Sequence, residues 1–161
     1  MEIRKTRPEE LSRVMEIYAA AREFMAQTGN PDQWGRVHPP EQMIREDIAA
    51  GKSYVCTEGE DILAVFYYDE GDDPTYARID NGAWLNDAPY GVIHRIAVAV
   101  RGRGVVGKCF DFAFGKCGNV KIDTHENNLP MQKALEKNGF TRCGTIYIDN
   151  GDPRMAYQKA K

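Results

Sequence analysis

No apolar run in this sequence approaches the roughly 18 residues needed to cross a bilayer. The opening residues, MEIRKTRPEE, lack the apolar stretch of a secretory signal. A cytoplasmic protein without membrane contact is expected. Cysteine is sparse: Cys56, Cys109, Cys117 and Cys143 are the whole set, and none forms a C-x-x-C pair. No histidine stands at zinc-finger spacing, so no metal site is expected. Free or buried thiols in a reducing compartment are expected instead. An excess of one charge is missing as well. The 21 Lys and Arg against 24 Asp and Glu leave a net charge of -3. Nucleic-acid binding calls for a basic stripe, which this balance does not supply. A cationic or neutral ligand suits it better than an anionic one. Internal repeats and low-complexity linkers are also absent. A chain of 161 residues then fits one domain spanning residues 1–161.

What is present is a clear run of alternating elements. Glu2 to Thr6 reads as a short strand. Thr6-x-x-Glu9 offers a capping box, with Pro8 suited to a first helical turn. Leu11, Val14, Met15, Tyr18, Ala21 and Met25 recur at helical spacing, which predicts an amphipathic helix ending near Gly29. Residues 30–40 hold Pro31, Gly35, Pro39 and Pro40 and read as a loop. A second helix is predicted over residues 41–50. Strands are predicted over 53–57 and 61–68, then a long one over 91–100. Residues 76–89 carry no clear period. Further on, helices are predicted over 105–116 and 130–137, and strands over 120–124, 140–148 and 155–158. Strands interleaved with helices predict a mixed α/β (α+β) domain with helices on both faces of the sheet.

The segment Arg101-Gly102-Arg103-Gly104-Val105-Val106-Gly107-Lys108 follows a strand and opens a helix. Free N–H groups and a positive dipole end make such a turn a natural anion site. Gly102-x-Gly104-x-x-Gly107 matches a dinucleotide fingerprint, and Asp123 stands near the distance of its ribose-binding acid. That fold begins with this unit, however, whereas here it starts after residue 100. Gly102 to Lys108 also matches most of a P-loop. The next residue is Cys109 where a Ser or Thr hydroxyl is needed for magnesium, so a nucleotide-binding reading rests on a degenerate motif.

Arg101-x-x-Gly104 resembles the R/Q-x-x-G-x-G/A turn of the GNAT superfamily of acyl-CoA-dependent N-acetyltransferases. Val106 replaces the last small residue. Asn128-x-x-Met131-x-x-Ala134-Leu135-x-x-x-Gly139-Phe140 resembles that family's downstream segment, and Ile93 to Val98 stands where its central strand belongs. Residues 29–34, Gly-Asn-Pro-Asp-Gln-Trp, are similar to the acceptor-side loop of some bacterial members. The resemblance implies a mostly antiparallel sheet with a splayed central strand pair. It implies acetyl-CoA as co-substrate and a small-molecule or peptide amine as acceptor, in a monomer or homodimer. It puts the pyrophosphate on Gly102, Arg103, Gly104, Val105, Val106 and Gly107, beside Arg101. The amide arm falls along Ile96, Ala97 and Val98, with Asn128 at the neighbouring strand end. A non-catalytic sensor that only binds coenzyme A is the alternative within the family.

Transfer to an amine needs that amine neutral, and lysine-type amines titrate near about 10.4. A base is therefore expected. His94 and His125 are the candidates, because imidazole titrates in the useful range. Glu126 and Asp123 are weaker ones. The resemblance implies a tyrosine acid where this chain has Leu135, so Tyr147 or a water is the expected substitute. Tyr18, Phe24, Trp34 and Tyr68 are the expected acceptor-site aromatics. Trp34 stands out because it lies among breakers rather than on a periodic apolar face.

Overall fold

A computed structural model describes all residues from Met1 to Lys161. Seven strands share one sheet in the order β1-β2-β3-β4-β5-β7-β6. In chain order these are β1 (Glu2–Lys5), β2 (Ser53–Glu58), β3 (Asp61–Glu70), β4 (Gly91–Val98), β5 (Asn119–Thr124), β6 (Thr141–Tyr147) and β7 (Pro153–Ala160). The helices are α1 (Leu11–Gln27), α2 (Glu41–Ala49), α3 (Val105–Cys117) and α4 (Leu129–Lys137). The ladders of β1 with β2, β2 with β3, β5 with β7 and β6 with β7 are antiparallel. Only β4 and β5 pair in parallel, through Gly91↔Val120 and Val92↔Lys121. A doubly wound parallel sheet would be needed for either nucleotide reading, and this sheet excludes it.

The chain divides into two compact units. The first comprises residues 1–68 and 94–112. Its sheet alternation assigns the two faces. Val55 and Val65 are cross-strand partners and pack in one cluster with Val14, Ile17 and Ile44 of α1 and α2. Tyr54 and Phe66, the next pair along, point the other way and stack at 5.8 Å. Phe112 of α3 closes on that side, 5.1 Å from Tyr54 and 6.0 Å from Tyr68. Helices therefore cover both faces of this part of the sheet.

The second unit comprises residues 69–93 and 113–161. Residues 76–89, without period in the sequence, form no strand; a single bridge of Asp80 to Thr145 of β6 and a set of side-chain contacts hold them. Tyr76, in a 3-10 turn over Pro74–Tyr76, donates to Asp123 at 2.6 Å. Trp84 Nε1 donates to the Tyr76 carbonyl at 2.9 Å. Lys121 lies against the Trp84 and Tyr90 rings, at 4.2 and 3.9 Å. Asn119, Gln158 and Asn86 form a buried amide chain, with Gln158 Nε2 donating to Asn119 Oδ1 at 2.7 Å and Asn86 Oδ1 at 3.2 Å.

Boundaries differ from expectation in instructive places. Thr6 does not cap α1: its hydroxyl pairs with the Ser53 hydroxyl at 2.8 Å. The reciprocal cap falls one residue later, where Glu10 accepts from the Arg7 N–H at 2.8 Å and from Nη1 and Nη2 of Arg4. A 3-10 turn, Pro8–Glu10, therefore precedes the helix. β7 starts at Pro153, where a missing N–H is tolerated, and runs well beyond residues 155–158. β4 stops at Val98 and is interrupted by a left-handed residue, Arg95 (φ 50). No helix is long and apolar enough to cross a membrane.

Candidate functional site

Gly102 and Gly104 have φ of 78 and 72, a region that L side chains rarely adopt. A Cβ at either would meet nothing within 4 Å. Conformation, not crowding, calls for glycine there. The first intrahelical bond of α3 runs from the Lys108 N–H to the Gly104 carbonyl at 3.2 Å. Val105, Val106 and Gly107 thus carry the N–H groups that a helix start leaves over. The sequence therefore builds an open, donor-rich turn. Side chains around it are already directed elsewhere. Arg103 is ion-paired with Glu58 at 2.6 Å, and the Arg101 guanidinium lies 3.3 Å from the Phe24 ring centre.

β4 supplies the second feature. The Ala99 N–H bonds to the Leu63 carbonyl of β3 at 2.8 Å. Backbone groups alternate along a strand, so Ile96 and Val98 present theirs to the opposite edge. On that edge the ladder with β5 covers only Gly91 and Val92. Because Arg95 is left-handed, a strict alternation of His94, Ile96, Val98 and Val100 on one face does not carry through it.

His94 lies beside Tyr67, with ring centres 5.6 Å apart. Tyr67 also receives the Arg95 guanidinium at 4.5 Å from its ring centre. Arg95 forms a two-pronged pair with Asp47 of α2, both bonds at 3.0 Å. Burial raises the Asp47 carboxyl above its usual range, and the Arg95 charge and hydrogen bonds oppose that. His38 packs edge-on to Trp34 at 5.9 Å. Burial holds its imidazole below the ordinary range, aided by the positive charges of Arg95 and Arg22. His38, Asp47, Tyr67 and Arg95 were not singled out from the sequence. Tyr67 alone had a signal there: it is the strand neighbour of Tyr68, so it faces the other way.

The four acceptor aromatics separate. Tyr18 and Trp34, 5.9 Å apart, belong to the apolar cluster under α1 and α2, and Trp34 is 9% exposed. Burial pushes the Tyr18 hydroxyl far above its ordinary range. Phe24 is half-buried under Arg101. Tyr68 shares the Phe66 face and packs on Phe112. It cannot line one pocket with Tyr18, because the sheet stands between them. Trp34 looked exceptional in the sequence because a loop residue lacks periodicity. The loop nevertheless folds its indole into the core.

Asn128, His125 and Tyr147 belong to the second unit. Asn128 caps α4, its Oδ1 accepting from the Met131 N–H at 3.2 Å. His125 Nδ1 accepts from the Asn127 N–H at 3.0 Å, so its neutral ring carries the proton on Nε2 and offers a donor rather than a base. The Tyr147 hydroxyl donates to Asp80 at 3.0 Å. That bond raises its pKa and makes it a weaker acid than a free tyrosine. Asp123 is engaged by Tyr76, and Glu126 is exposed. Leu135, at the family's tyrosine position, is fully buried.

No protein-family model matches the chain, and no curated protein matches it. Solved structures do. An acetyltransferase of the GNAT family from Streptococcus agalactiae is 32% identical with a TM-score of 0.91, covering 99% of this chain and 95% of its own. An acetyltransferase from Staphylococcus aureus is 22% identical with a TM-score of 0.71, covering 99% of both chains. An aminoglycoside acetyltransferase solved with coenzyme A and kanamycin shares the fold, at 17% identity and a TM-score of 0.66, covering 99% of this chain and 94% of its own. With that likeness to the streptococcal protein along nearly its full length, the chain belongs to the GNAT family of acetyltransferases.

Proposed function

We propose that this chain binds acetyl-CoA and transfers its acetyl group to a primary amine by direct attack in a ternary complex. The observation that carries the reading is the pair of left-handed glycines, Gly102 and Gly104, opening onto the free N–H groups of α3. A diphosphate fits that donor set, since it offers many acceptors and needs close backbone approach. The amide arm of the co-substrate would add along the open edge of β4 as an extra half-strand.

The chemistry follows from the donors at hand. The amine nitrogen attacks the thioester carbonyl carbon, a C–N bond forms, and the C–S bond breaks as coenzyme A leaves. Alternation along β4 favours the Ile96 N–H over that of Ala97 as the donor to the developing oxyanion. One such donor is worth about 3–4 kcal/mol. His94 takes the amine proton, directly or through one water. The departing thiolate takes its proton from solvent or from a water. Phe24, with Arg101 above it, borders the acceptor side, and Tyr18 and Trp34 support it from the core.

Calorimetric titration with coenzyme A, followed by thiol release from acetyl-CoA over an amine panel, tests the reading. Binding with turnover that loses its acidic limb in His94→Gln is the expected result. Binding without release for any amine would make the protein a coenzyme A sensor. Binding of ATP-magnesium or NAD in place of coenzyme A would overturn the reading.

A further inference from the structure

Among the strand residues only Arg95 is left-handed, at φ 50. In that region a Cβ crowds the following carbonyl, so an arginine stays there only when its surroundings hold it. Those surroundings are specific. Both prongs of the guanidinium bond Asp47, at 3.0 Å each, and its flat face lies on Tyr67. The pair is largely buried, with side-chain exposures of 16% and 10%. A buried ion pair is rarely the best route to stability, because apolar residues of similar size do as well or better. Its geometry can, however, fix one backbone shape among several. The residues that follow it, Ile96 and Val98, are those whose N–H groups leave the β3 side.

We infer that Asp47 and Tyr67 clamp the Arg95 side chain to hold β4 in a left-handed kink, which aims the Ile96 N–H at the thioester and the Val98 N–H at the amide arm. This rests on the proposed acetyl-CoA reading. Asp47, Tyr67 and Arg95 are positioning residues here, acting through the backbone and touching no reacting atom.

Glycine separates shape from charge, because it adopts the left-handed region without a clamp. Two double variants lack the ion pair and leave no unpaired buried charge: Arg95→Gly with Asp47→Asn, and Arg95→Ala with Asp47→Asn. They differ only by one Cβ. Coenzyme A titrations and backbone amide spectra with acetyl-CoA are recorded well below each melting temperature. The alanine double variant should bind coenzyme A about tenfold more weakly than wild type and lose the acetyl-CoA-induced shifts of the Ile96 and Val98 amides. The glycine double variant should recover affinity to within about threefold of wild type and restore those shifts. Equal losses in both variants, or no loss in either, would overturn the clamp. Failure of wild type to bind coenzyme A would instead remove the functional reading. The clamp would then be judged by the Arg95 N–H to Hα coupling in the free protein: a left-handed value kept in Asp47→Asn would overturn it, and its loss there would sustain it.

Discussion

The two compact units handle buried polarity in opposite ways. In residues 69–93 and 113–161 polar groups close upon one another. Gln158 is completely buried, yet it donates to two amide oxygens and accepts from the Leu85 N–H at 2.8 Å. In residues 1–68 and 94–112 two features leave backbone donors directed outward: an open glycine turn, and the edge of β4 that follows the left-handed Arg95. Saturated networks set a shape, and donors left over at a helix start or strand edge are what a ligand can use. The contrast leaves unused backbone donors in one region and side-chain networks that hold the shape in the other; under the proposed function the first is where coenzyme A would bind.

The largest effect expected is for Trp34→Ala. Removing a buried indole should cost about 3–5 kcal/mol, a fall of roughly 6–15 °C in melting temperature by calorimetry. A higher acceptor KM at an unchanged melting temperature would move Trp34 from the core to the acceptor surface. Next comes Gln158→Ala, which leaves the Leu85 N–H and the Asn119 Oδ1 without their partner. About 2–3 kcal/mol of stability should be lost, while coenzyme A affinity of the folded protein stays near wild type. A matching loss of affinity would erase the division between the two regions.

Gly104→Asp should do the reverse. It strains a left-handed position and sets a carboxylate against the diphosphate. Coenzyme A affinity should fall about 30-fold, or about 2 kcal/mol, with a native circular dichroism spectrum. Unchanged affinity would place the phosphates elsewhere. The smallest effect expected is on the pH dependence of stability. His38 is held below its ordinary pKa, so the unfolded chain binds its proton first as pH falls. Its contribution is present above the unfolded value, about 6.5, and is lost as pH drops toward the folded one. Urea unfolding at descending pH should show a shallow acidic slope that His38→Gln flattens.

Much of this was legible beforehand. Strong period and breakers marked α2 and α3 to within about a residue, and Gly102 and Gly104 declared the turn. The cap of α1 was misplaced because Glu9 and Glu10 look alike in sequence, while Arg4 selects Glu10. Residues 76–89 stayed illegible because they are held by Tyr76, Trp84 and Asn86 contacting Asp123, Lys121 and Asn119, each more than 30 residues away. Periodicity carries no trace of such bonds.

The sequence by itself determined the order of elements, the glycine turn and the family resemblance, because these follow from local rules: spacing, breakers and left-handed positions. Tertiary structure alone decided which face each side chain joins. Tyr67 and Tyr68 are neighbours with the same chemistry, yet one meets Arg95 and His94 and the other meets Phe112. The same holds for Asp47 and Arg95, which are 48 residues apart. Their pairing depends on how α2 packs on the sheet, a contact that no local pattern encodes.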